Sequence, residues 1–438
     1  MASRTEKAAE ARGALAHLYR RAGFGARPEE LEAAVTAGYA KTLDRLLDLT
    51  AFDLGAERVP PPTLTPVPDP LPSNGDERRA IQNQALAETR AMILWWLDRM
   101  VVSTNPLREK LTWFWHGHFA TAFTKVREPA LLYRQNQTLR RHGDGNFEEL
   151  TQAVAKDPAM ILWLDTQTNA VGKPNENFSR ELMELFALGI GNYTEKDVAE
   201  GARAFTGWRY DRAADGFAFV SARHDDGLKS VLGTSGVLTG EQVVKTVIQN
   251  PQSPRFIVSK LWSHFAYPVA PSDRVVDELA PAFARNLDVS QLVQAVFRHP
   301  GFLSPPARTG LVKQPVEHLV GALRALNLRA DKLTMLDGLR EAGQMPFDPP
   351  DVGGWPQNGY WLGTASALAR LKQSEMLAQT IDVSAIGAVP RKDRPAHVAR
   401  MLSVGPWSKR TSSALAKVAP EPRMLLAAAL LSPEYLLN

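Results

Sequence analysis

Acidic, basic and amide side chains recur at helical spacing in one segment of the chain. At about 100° per residue, one arc of an ideal helix carries five of them: Glu176, Asn177, Arg180, Glu181 and Glu184. Carboxylates three residues apart, such as Glu181 and Glu184, lean the same way, so they can bind one cation or raise the pKa of one partner. The alternative is a solvated amphipathic helix in which Arg180 pairs with Glu176 and Glu184. The sequence therefore locates a candidate site here without naming its reaction.

Three further clusters hold residues that could do chemistry: FWHGHF at Phe114–Phe119, HDDGLK at His224–Lys229 and GGWP at Gly353–Pro356. His116 and His118 are two residues apart, so on a helix their rings point about 200° apart and cannot chelate one ion. Each also has the spacing of a buried, hydrogen-bonded histidine. His118 is the better ligand candidate of the two.

The sequence assigns these clusters three kinds of role. The catalytic candidates are Glu181, Glu184, His224 and Asp225. The substrate-binding candidates are Glu176, Asn177, Arg180, Trp208, Lys229, Trp355 and Trp361. A divalent metal is the cofactor that the mixed nitrogen and oxygen donors would hold, with His118, Glu181, Glu184 and His224 as ligands.

Three functions fit this inventory. The first is an enzyme with a His/carboxylate pocket, either a metal-assisted or an acid/base hydrolase or lyase, acting on a small molecule or a saccharide. Tryptophan rings stack on sugars, so the saccharide version predicts an open ring face on Trp208, Trp355 or Trp361. The second is a non-catalytic binding or assembly protein, with an unidentified partner protein, stabilised by a Glu/Arg/His network. The third is a His/carboxylate iron redox enzyme, although the paired Glu-x-x-His motifs of ferritin-like di-iron proteins are missing.

Composition and motifs exclude several classes. The 438 residues carry a formal charge of only +4 and no basic run interleaved with aromatics, which predicts no nucleic-acid partner. There is no cysteine, so thiolate nucleophiles, disulfides and iron–sulfur clusters are excluded. GxSxG, HExxH, P-loop and GxGxxG motifs are missing. The amino-terminal stretch lacks the apolar region of a signal peptide, and Met424–Leu431 is too short to span a bilayer, so we expect a mature cytoplasmic protein with no membrane partner.

Hydrophobic periodicity predicts a mainly α protein, a multi-helical array with one short β-hairpin and long Pro/aromatic loops. The helical segments are Glu29–Ala37, Tyr39–Leu49, Glu77–Val102, Pro106–Thr121, Glu128–Arg140, Phe147–Lys156, Asn175–Leu188, Glu195–Phe205, Gly240–Gln249, Pro254–Phe265, Asp273–Arg285, Val289–Arg298 and Lys313–Leu326. The hairpin pairs Trp208–Tyr210 with Phe217–Phe219 across a turn that contains Asp-Gly.

Two long loops interrupt the helical pattern. Phe52–Asp76 is rich in proline, and Met345–Gly363 carries several aromatic residues, which predicts packing over the core. We treat the chain as one unit, 1–438. It divides into amino-terminal helices with a Pro-rich linker at 1–76, a motif-bearing core at 77–300, and carboxy-terminal helices with the aromatic loop at 301–438.

Ordered motifs along nearly the whole chain resemble those of the bacterial family called domain of unknown function 1800 (DUF1800). They are HLYRRAGFG at His17–Gly25, REKLTWFWHGHF at Arg108–Phe119, GNFEEL at Gly145–Leu150, DPAMILWLD at Asp157–Asp165, NENFSRELMELFALGIGNYTEKDV at Asn175–Val198, ARAFTGW at Ala202–Trp208, HDDGLKSVLG at His224–Gly233, KLWSHF at Lys260–Phe265 and the GGWP loop. The resemblance implies no activity. It implies that related proteins are often exported, and it predicts that the four chemical clusters converge in space.

Overall fold

The computed structural model describes residues 4–437, with side chains from Lys7 onward. Met1, Ala2 and Ser3, part of the stretch behind the localisation prediction, lie outside the described residues. The protein is mainly α, with 62% of the chain helical, as predicted. The first ten helices are α1 (Arg4–Arg21), α2 (Pro28–Ala37), α3 (Tyr39–Leu47), α4 (Leu54–Glu57), α5 (Gly75–Val102), α6 (Leu107–His118), α7 (Phe123–Val126), α8 (Pro129–His142), α9 (Phe147–Ala155) and α10 (Pro158–Trp163).

The remaining helices complete the array. They are α11 (Asn177–Glu181), α12 (Glu195–Ala204), α13 (Gly240–Ile248), α14 (Gln252–Phe265), α15 (Arg274–Phe283), α16 (Val289–Arg298), α17 (Pro305–Thr309), α18 (Pro315–Ala325), α19 (Thr334–Glu341), α20 (Thr364–Thr380), α21 (Ser384–Gly387), α22 (Arg394–Met401), α23 (Lys409–Val418), α24 (Pro422–Leu430) and α25 (Pro433–Leu436). Short 3₁₀ turns occur at Thr166–Thr168, Ser221–Arg223, Pro300–Leu303 and Asn358–Leu362. Every helical segment predicted from periodicity contains an observed helix.

The predicted hairpin is confirmed. Strand β1 (Trp208–Asp211) pairs antiparallel with β2 (Gly216–Phe219), and Trp208 lies opposite Phe219. A second hairpin, which the sequence did not predict, joins β3 (Lys229–Val231) to β4 (Thr234–Gly236). Its strands are only three residues long, too short for a period-two pattern to stand out.

The predicted helix Asn175–Leu188 is not uniform. It is α-helical in α11 and then continues as a π-helical turn at Leu182–Ala187. The amide of Leu188 donates to the carbonyl of Met183 at 3.0 Å, five residues back. Such turns are rare and often occur at functional sites. The carboxylate-bearing segment therefore has a local geometry that an ideal-helix projection does not describe.

Two buried clusters hold the array together. One runs from Leu15 to Ala307 and includes Trp115 and Phe186, and the other runs from Phe24 to Tyr435. The aromatic loop packs as predicted, because the side chains of Phe347, Trp355 and Trp361 are buried. The division at residues 76 and 300 stays a prediction. Among residues 4–437, no helix has the length and apolar character needed to cross a membrane.

Candidate functional site

A small cleft opens where α6, α14 and the loop after residue 350 meet. Its volume is about 60 Å³, and a neighbouring cavity of about 160 Å³ shares His264, Gln314 and Gln357 with it. The cleft is lined by Trp113, Phe114, Gly117, His118, Leu185, Lys260, His264, Gln314, Gly353, Trp355 and Gln357. Three of the four sequence clusters contribute to it, together with the KLWSHF motif.

Two glycines from distant segments let the loop reach the end of α6. Gly354 has φ +81°, and a Cβ there would lie 2.2 Å from the carbonyl oxygen of Gly117. Any larger residue at 354 would therefore strain the backbone and push the loop away. The loop is also held by Trp355, which stacks on Trp113 with centroids 5.0 Å apart at 19°.

His116 anchors the same loop from inside the core. The backbone N–H of Phe347 donates to His116 Nε2 at 2.9 Å. Burial lowers the pKa of His116 to about 3, so the ring is neutral at pH 7. His116 is thus a buried structural histidine, one of the two roles that its spacing allowed.

His118 takes part in the cleft and is tied to the π-helical turn. Its Nε2 lies 2.9 Å from the carbonyl oxygen of Phe186, so Nε2 must carry the proton. Nδ1 then carries the lone pair, and no described residue bonds to it. Burial, and next the charge of Lys260, lower the pKa of His118 to about 3, while the Phe186 carbonyl opposes the shift. At neutral pH the cleft therefore contains a neutral imidazole with one free acceptor nitrogen.

Lys260 is the lysine that lines the cleft. Its Nζ lies 5.2 Å from the centroid of Phe256, and among the described residues it has no hydrogen-bond or ion-pair partner. Burial lowers the pKa of Lys260, because the charged ammonium loses hydration and no carboxylate compensates. A larger fraction of the amine is therefore neutral at pH 7 than for a surface lysine.

His264 lies one helical turn after Lys260 on the same face of α14. Its ring packs 5.1 Å from Phe114, and Nε2 is buried without a partner among the residues described. Burial, then the charge of Lys110, lower the pKa of His264 to about 3. The sequence analysis missed this Lys-x-x-x-His pair, although the i,i+4 spacing within KLWSHF is a usable signal.

The predicted carboxylate pair lies beside the cleft rather than in its wall. Glu181 and Glu184 are half-buried, and Leu185, the next residue, lines the cleft. Burial, then the charge of Glu184, raise the pKa of Glu181, which has no hydrogen-bond partner within the described chain. Glu184 accepts a hydrogen bond of 2.5 Å from the Tyr193 hydroxyl. Glu181 is thus the carboxylate available for proton transfer.

The other polar residues of that segment form structural contacts. Arg180 pairs with Glu176 at 3.0 Å, as its spacing predicts, but its second partner is Glu195 at 2.7 Å. The expected pair with Glu184 does not form, because the guanidinium is already held by carboxylates on both sides. The side-chain amide of Asn177 donates to the carbonyl of Leu164 at 3.2 Å.

The HDDGLK cluster lies apart from the cleft and fastens the second hairpin to α12. His224 Nδ1 lies 2.8 Å from the carbonyl oxygen of Thr206, which satisfies one ring nitrogen. Asp225 pairs with Arg203 at 2.8 Å, and this hydrogen bond lowers its pKa to about 2. Lys229 donates to the carbonyls of Asp225 and Gly227. None of the three predicted site residues in this cluster lines the cleft.

The predicted metal set does not assemble. Throughout the described part of the chain, no group of three or more histidine, aspartate or glutamate side chains could hold a metal ion. The reason is positional: His118 bonds to the π-helical turn, while His224 is held by Thr206 on another part of the molecule. His118, Glu181, Glu184 and His224 therefore do not form one ligand set in this structure.

The three predicted stacking tryptophans offer no open face. Trp208, Trp355 and Trp361 are 2%, 8% and 0% exposed. Trp208 packs between Phe205 and Phe217 in the core, and only Trp355 reaches the cleft, with one face covered by Trp113. The saccharide version of the enzyme hypothesis predicted an open tryptophan ring face for stacking on a sugar, and the burial of all three rings removes that support.

Comparison with known sequences and structures gives one match. The family model described as "protein of unknown function (DUF1800)" matches residues 17–437. No curated protein and no solved structure matches the chain. The cleft must therefore be interpreted from its own residues.

Proposed function

The chain belongs to the DUF1800 family, whose description assigns no function, and from the residues of the cleft we propose that the protein is an enzyme acting on a small carbonyl compound. The observation that carries the proposal is the Lys260 amine, which lines the cleft without a hydrogen-bond or ion-pair partner in the described part of the chain and whose pKa is lowered by burial. Lysines in such surroundings serve as nucleophiles toward carbonyl carbons. A lyase of this kind is one version of the acid/base enzyme predicted from the sequence.

The proposed reaction begins with the neutral amine. The Lys260 nitrogen attacks the carbonyl carbon, and the electrons of the C=O bond move to oxygen. The oxygen takes up a proton and the nitrogen loses one, which gives a neutral carbinolamine. Loss of water then forms an imine, and its protonated form draws electrons from the neighbouring carbon. Carbon–carbon or carbon–hydrogen bonds at that carbon become easier to break, which is the chemistry of Schiff-base lyases.

Two groups support this reaction. The free Nδ1 of His118 can accept a hydrogen bond from the attacking amine and so orient it. Glu181, whose pKa is raised by burial and by the charge of Glu184, is a second group that can exchange protons from the edge of the cleft. The sequence predicted His118 as a metal ligand and Glu181 as a catalytic residue and metal ligand, and both take part in the proposed reaction.

The dimensions of the cleft limit the substrate. A water molecule accounts for about 30 Å³ of liquid, and sites for drug-sized ligands measure about 300–1,000 Å³. The cleft and its neighbouring cavity, at about 60 and 160 Å³, suit a molecule of a few heavy atoms. A polymer chain does not fit, so a small-molecule substrate is the version we propose.

Reductive trapping tests the proposal. The protein is incubated at pH 7 with small aldehydes and ketones plus sodium cyanoborohydride, which reduces imines, and the modified lysine is located by peptide mass spectrometry. We expect modification concentrated at Lys260 and lost in Lys260→Met. Lys245→Met, which removes an exposed lysine on α13, serves as the control and should trap normally. Modification spread evenly over the exposed lysines, with Lys260 no more reactive than they are, would refute the proposal.

A second function, a non-catalytic assembly protein, is supported by a separate observation. Glu109 is buried among Trp96, Arg99 and Arg140, and this network joins α5, α6 and α8. Networks of this kind can specify a fold without taking part in catalysis. If this were the whole function, Lys260→Met would leave partner capture unchanged while Glu109→Gln would abolish it, as measured by co-purification from the source cells. The iron redox alternative gains no support, since its ligands do not converge.

A further inference from the structure

The side chain of Gln314 presents a fixed hydrogen-bond donor at the junction of the cleft and the neighbouring cavity. The backbone N–H of Val316 donates to Gln344 Oε1 at 2.9 Å, which fixes the orientation of that amide. Gln344 Nε2 then donates to Gln314 Oε1 at 2.7 Å, and Trp113 Nε1 donates to the same oxygen at 3.3 Å. Because a backbone N–H only donates, the whole chain of bonds has one direction.

The consequence is a free Nε2 on Gln314. Its carbonyl oxygen is occupied by two donors, and no described residue accepts from its amide nitrogen. Gln314 lines both the cleft that contains Lys260 and the adjoining cavity. Two N–H groups are thus available to an acceptor on a bound molecule, and their orientation is set before binding.

Two charged groups lie near this donor: Lys260, which lines the same cleft, and Glu317, which accepts from the Gln314 backbone N–H at 3.0 Å. The charge of Lys260 contributes to the lowered pKa of His118, and no carboxylate among the described residues pairs with Lys260. Glu317, which lines the adjoining cavity, is ion-paired with Lys110. A ligand with an acceptor group of negative charge would therefore complement this side of the cleft better than a neutral one.

We infer that the substrate is a small 2-oxo acid, in which Gln314 binds the carboxylate while Lys260 attacks the adjacent carbonyl carbon. This inference rests on the proposed function, since it assigns the substrate class of the same site. Binding and attack of a 2-oxo acid need a donor for the carboxylate, an amine for the carbonyl and space for a few heavy atoms. The cleft and the adjoining cavity supply all three. Gln314 is then a specificity residue, which the sequence did not indicate.

The test compares pyruvate with methyl pyruvate, which has the same ketone but no carboxylate charge. Trapping at Lys260 is measured for both by mass spectrometry, and each rate is divided by the rate for a free lysine derivative. We expect the normalised rate for pyruvate to exceed that for the ester by about tenfold, the size of one hydrogen bond to a charged group.

Gln314→Glu tests the role of the amide. Glutamate keeps an oxygen for the bonds from Trp113 and Gln344, but it replaces the free donor with a second, negatively charged oxygen. We expect the preference for pyruvate to disappear in this variant. Gln249→Glu adds the same charge at an exposed position on the end of α13 and should keep the preference.

The outcomes separate the two proposals. Equal normalised trapping of both compounds at Lys260 overturns the 2-oxo acid inference and leaves the carbonyl enzyme standing. Trapping at Lys260 by neither these compounds nor the aldehydes and ketones overturns both. If Gln314→Glu does not fold, the comparison of the two compounds on the unmodified protein still decides the inference.

Discussion

Replacing Glu109 by glutamine tests how strongly the buried ion network holds the scaffold of the cleft. Glu109 is 2% exposed and lies on α6, the helix that also carries His118. Its carboxylate accepts four hydrogen bonds, from Trp96 at 2.8 Å, Arg99 at 3.2 Å and two nitrogens of Arg140 at 2.9 Å each. Glutamine has nearly the same shape, so the substitution removes charge and one acceptor without opening a cavity.

The size of the effect follows from the pKa of Glu109. Burial alone would raise this pKa, but Arg140, Arg99 and the Trp96 indole outweigh burial and lower it from 4.5 to about 2. Since one pKa unit corresponds to about 1.4 kcal/mol, the folded state gains about 3 kcal/mol from the ionised carboxylate. Breaking a buried ion pair costs about 3–5 kcal/mol in other proteins. We therefore expect Glu109→Gln to lose about 3 kcal/mol at pH 7.

The sign of the pH dependence follows from the same shift. A carboxyl group whose folded-state pKa is depressed contributes its stability above its unfolded-state pKa and loses it as pH falls through the folded-state pKa. The difference between the unmodified protein and Glu109→Gln should therefore be constant above about pH 5 and shrink toward pH 2.

Urea unfolding followed by tryptophan fluorescence and circular dichroism measures this difference at pH 7 and at lower pH. Glu341→Gln is the control, because Glu341 pairs with Lys372 on the surface, where both side chains are about half exposed. Its loss should stay below about 1 kcal/mol. A loss below about 1 kcal/mol for Glu109→Gln as well, or a difference that does not change with pH, would refute the reasoning.

Three further substitutions test the elements that build the cleft, each measured by thermal and urea unfolding. Gly354→Ala should destabilise the protein by about 1–3 kcal/mol and abolish Lys260 trapping, because its Cβ would meet the carbonyl of Gly117; unchanged trapping would contradict the contact. His116→Leu should cost about 1–3 kcal/mol, because the buried N–H of Phe347 loses its acceptor, and a neutral result would contradict that role. Arg180→Ala should cost less than about 1 kcal/mol, since its ion pairs are exposed to solvent; a larger loss would indicate a deeper role.

Local sequence signals predicted the elements well. The Asp-Gly turn identified the first hairpin with the observed pairing of Trp208 and Phe219. The predicted helix Glu195–Phe205 contains α12, and Thr194 and Asp197 form a capping box at its start. These features depend on residues within a few positions of one another, so the chain encodes them locally.

The site was predictable only in part, because long-range packing decides which clusters meet. His118 and the GGWP loop do meet, through the close contact of Gly117 and Gly354. The HDDGLK segment carries equally suitable side chains, but its hydrogen bonds to Thr206 keep it elsewhere. The sequence did not indicate Lys260, because its lowered pKa depends on burial. A lysine within a helical segment carries no local signal that it will be buried.

The π-helical turn at Leu182–Ala187 links backbone register to proton chemistry. The Phe186 carbonyl of this turn accepts from His118 Nε2, and this bond leaves the lone pair of the neutral ring on Nδ1. Deleting one residue from the turn would restore an ordinary α-helix and rotate the preceding residues, Glu181 among them, by about 100° relative to Leu188. A change of one residue in chain length would thus turn Glu181 away from the edge of the cleft and displace Leu185, which lines it.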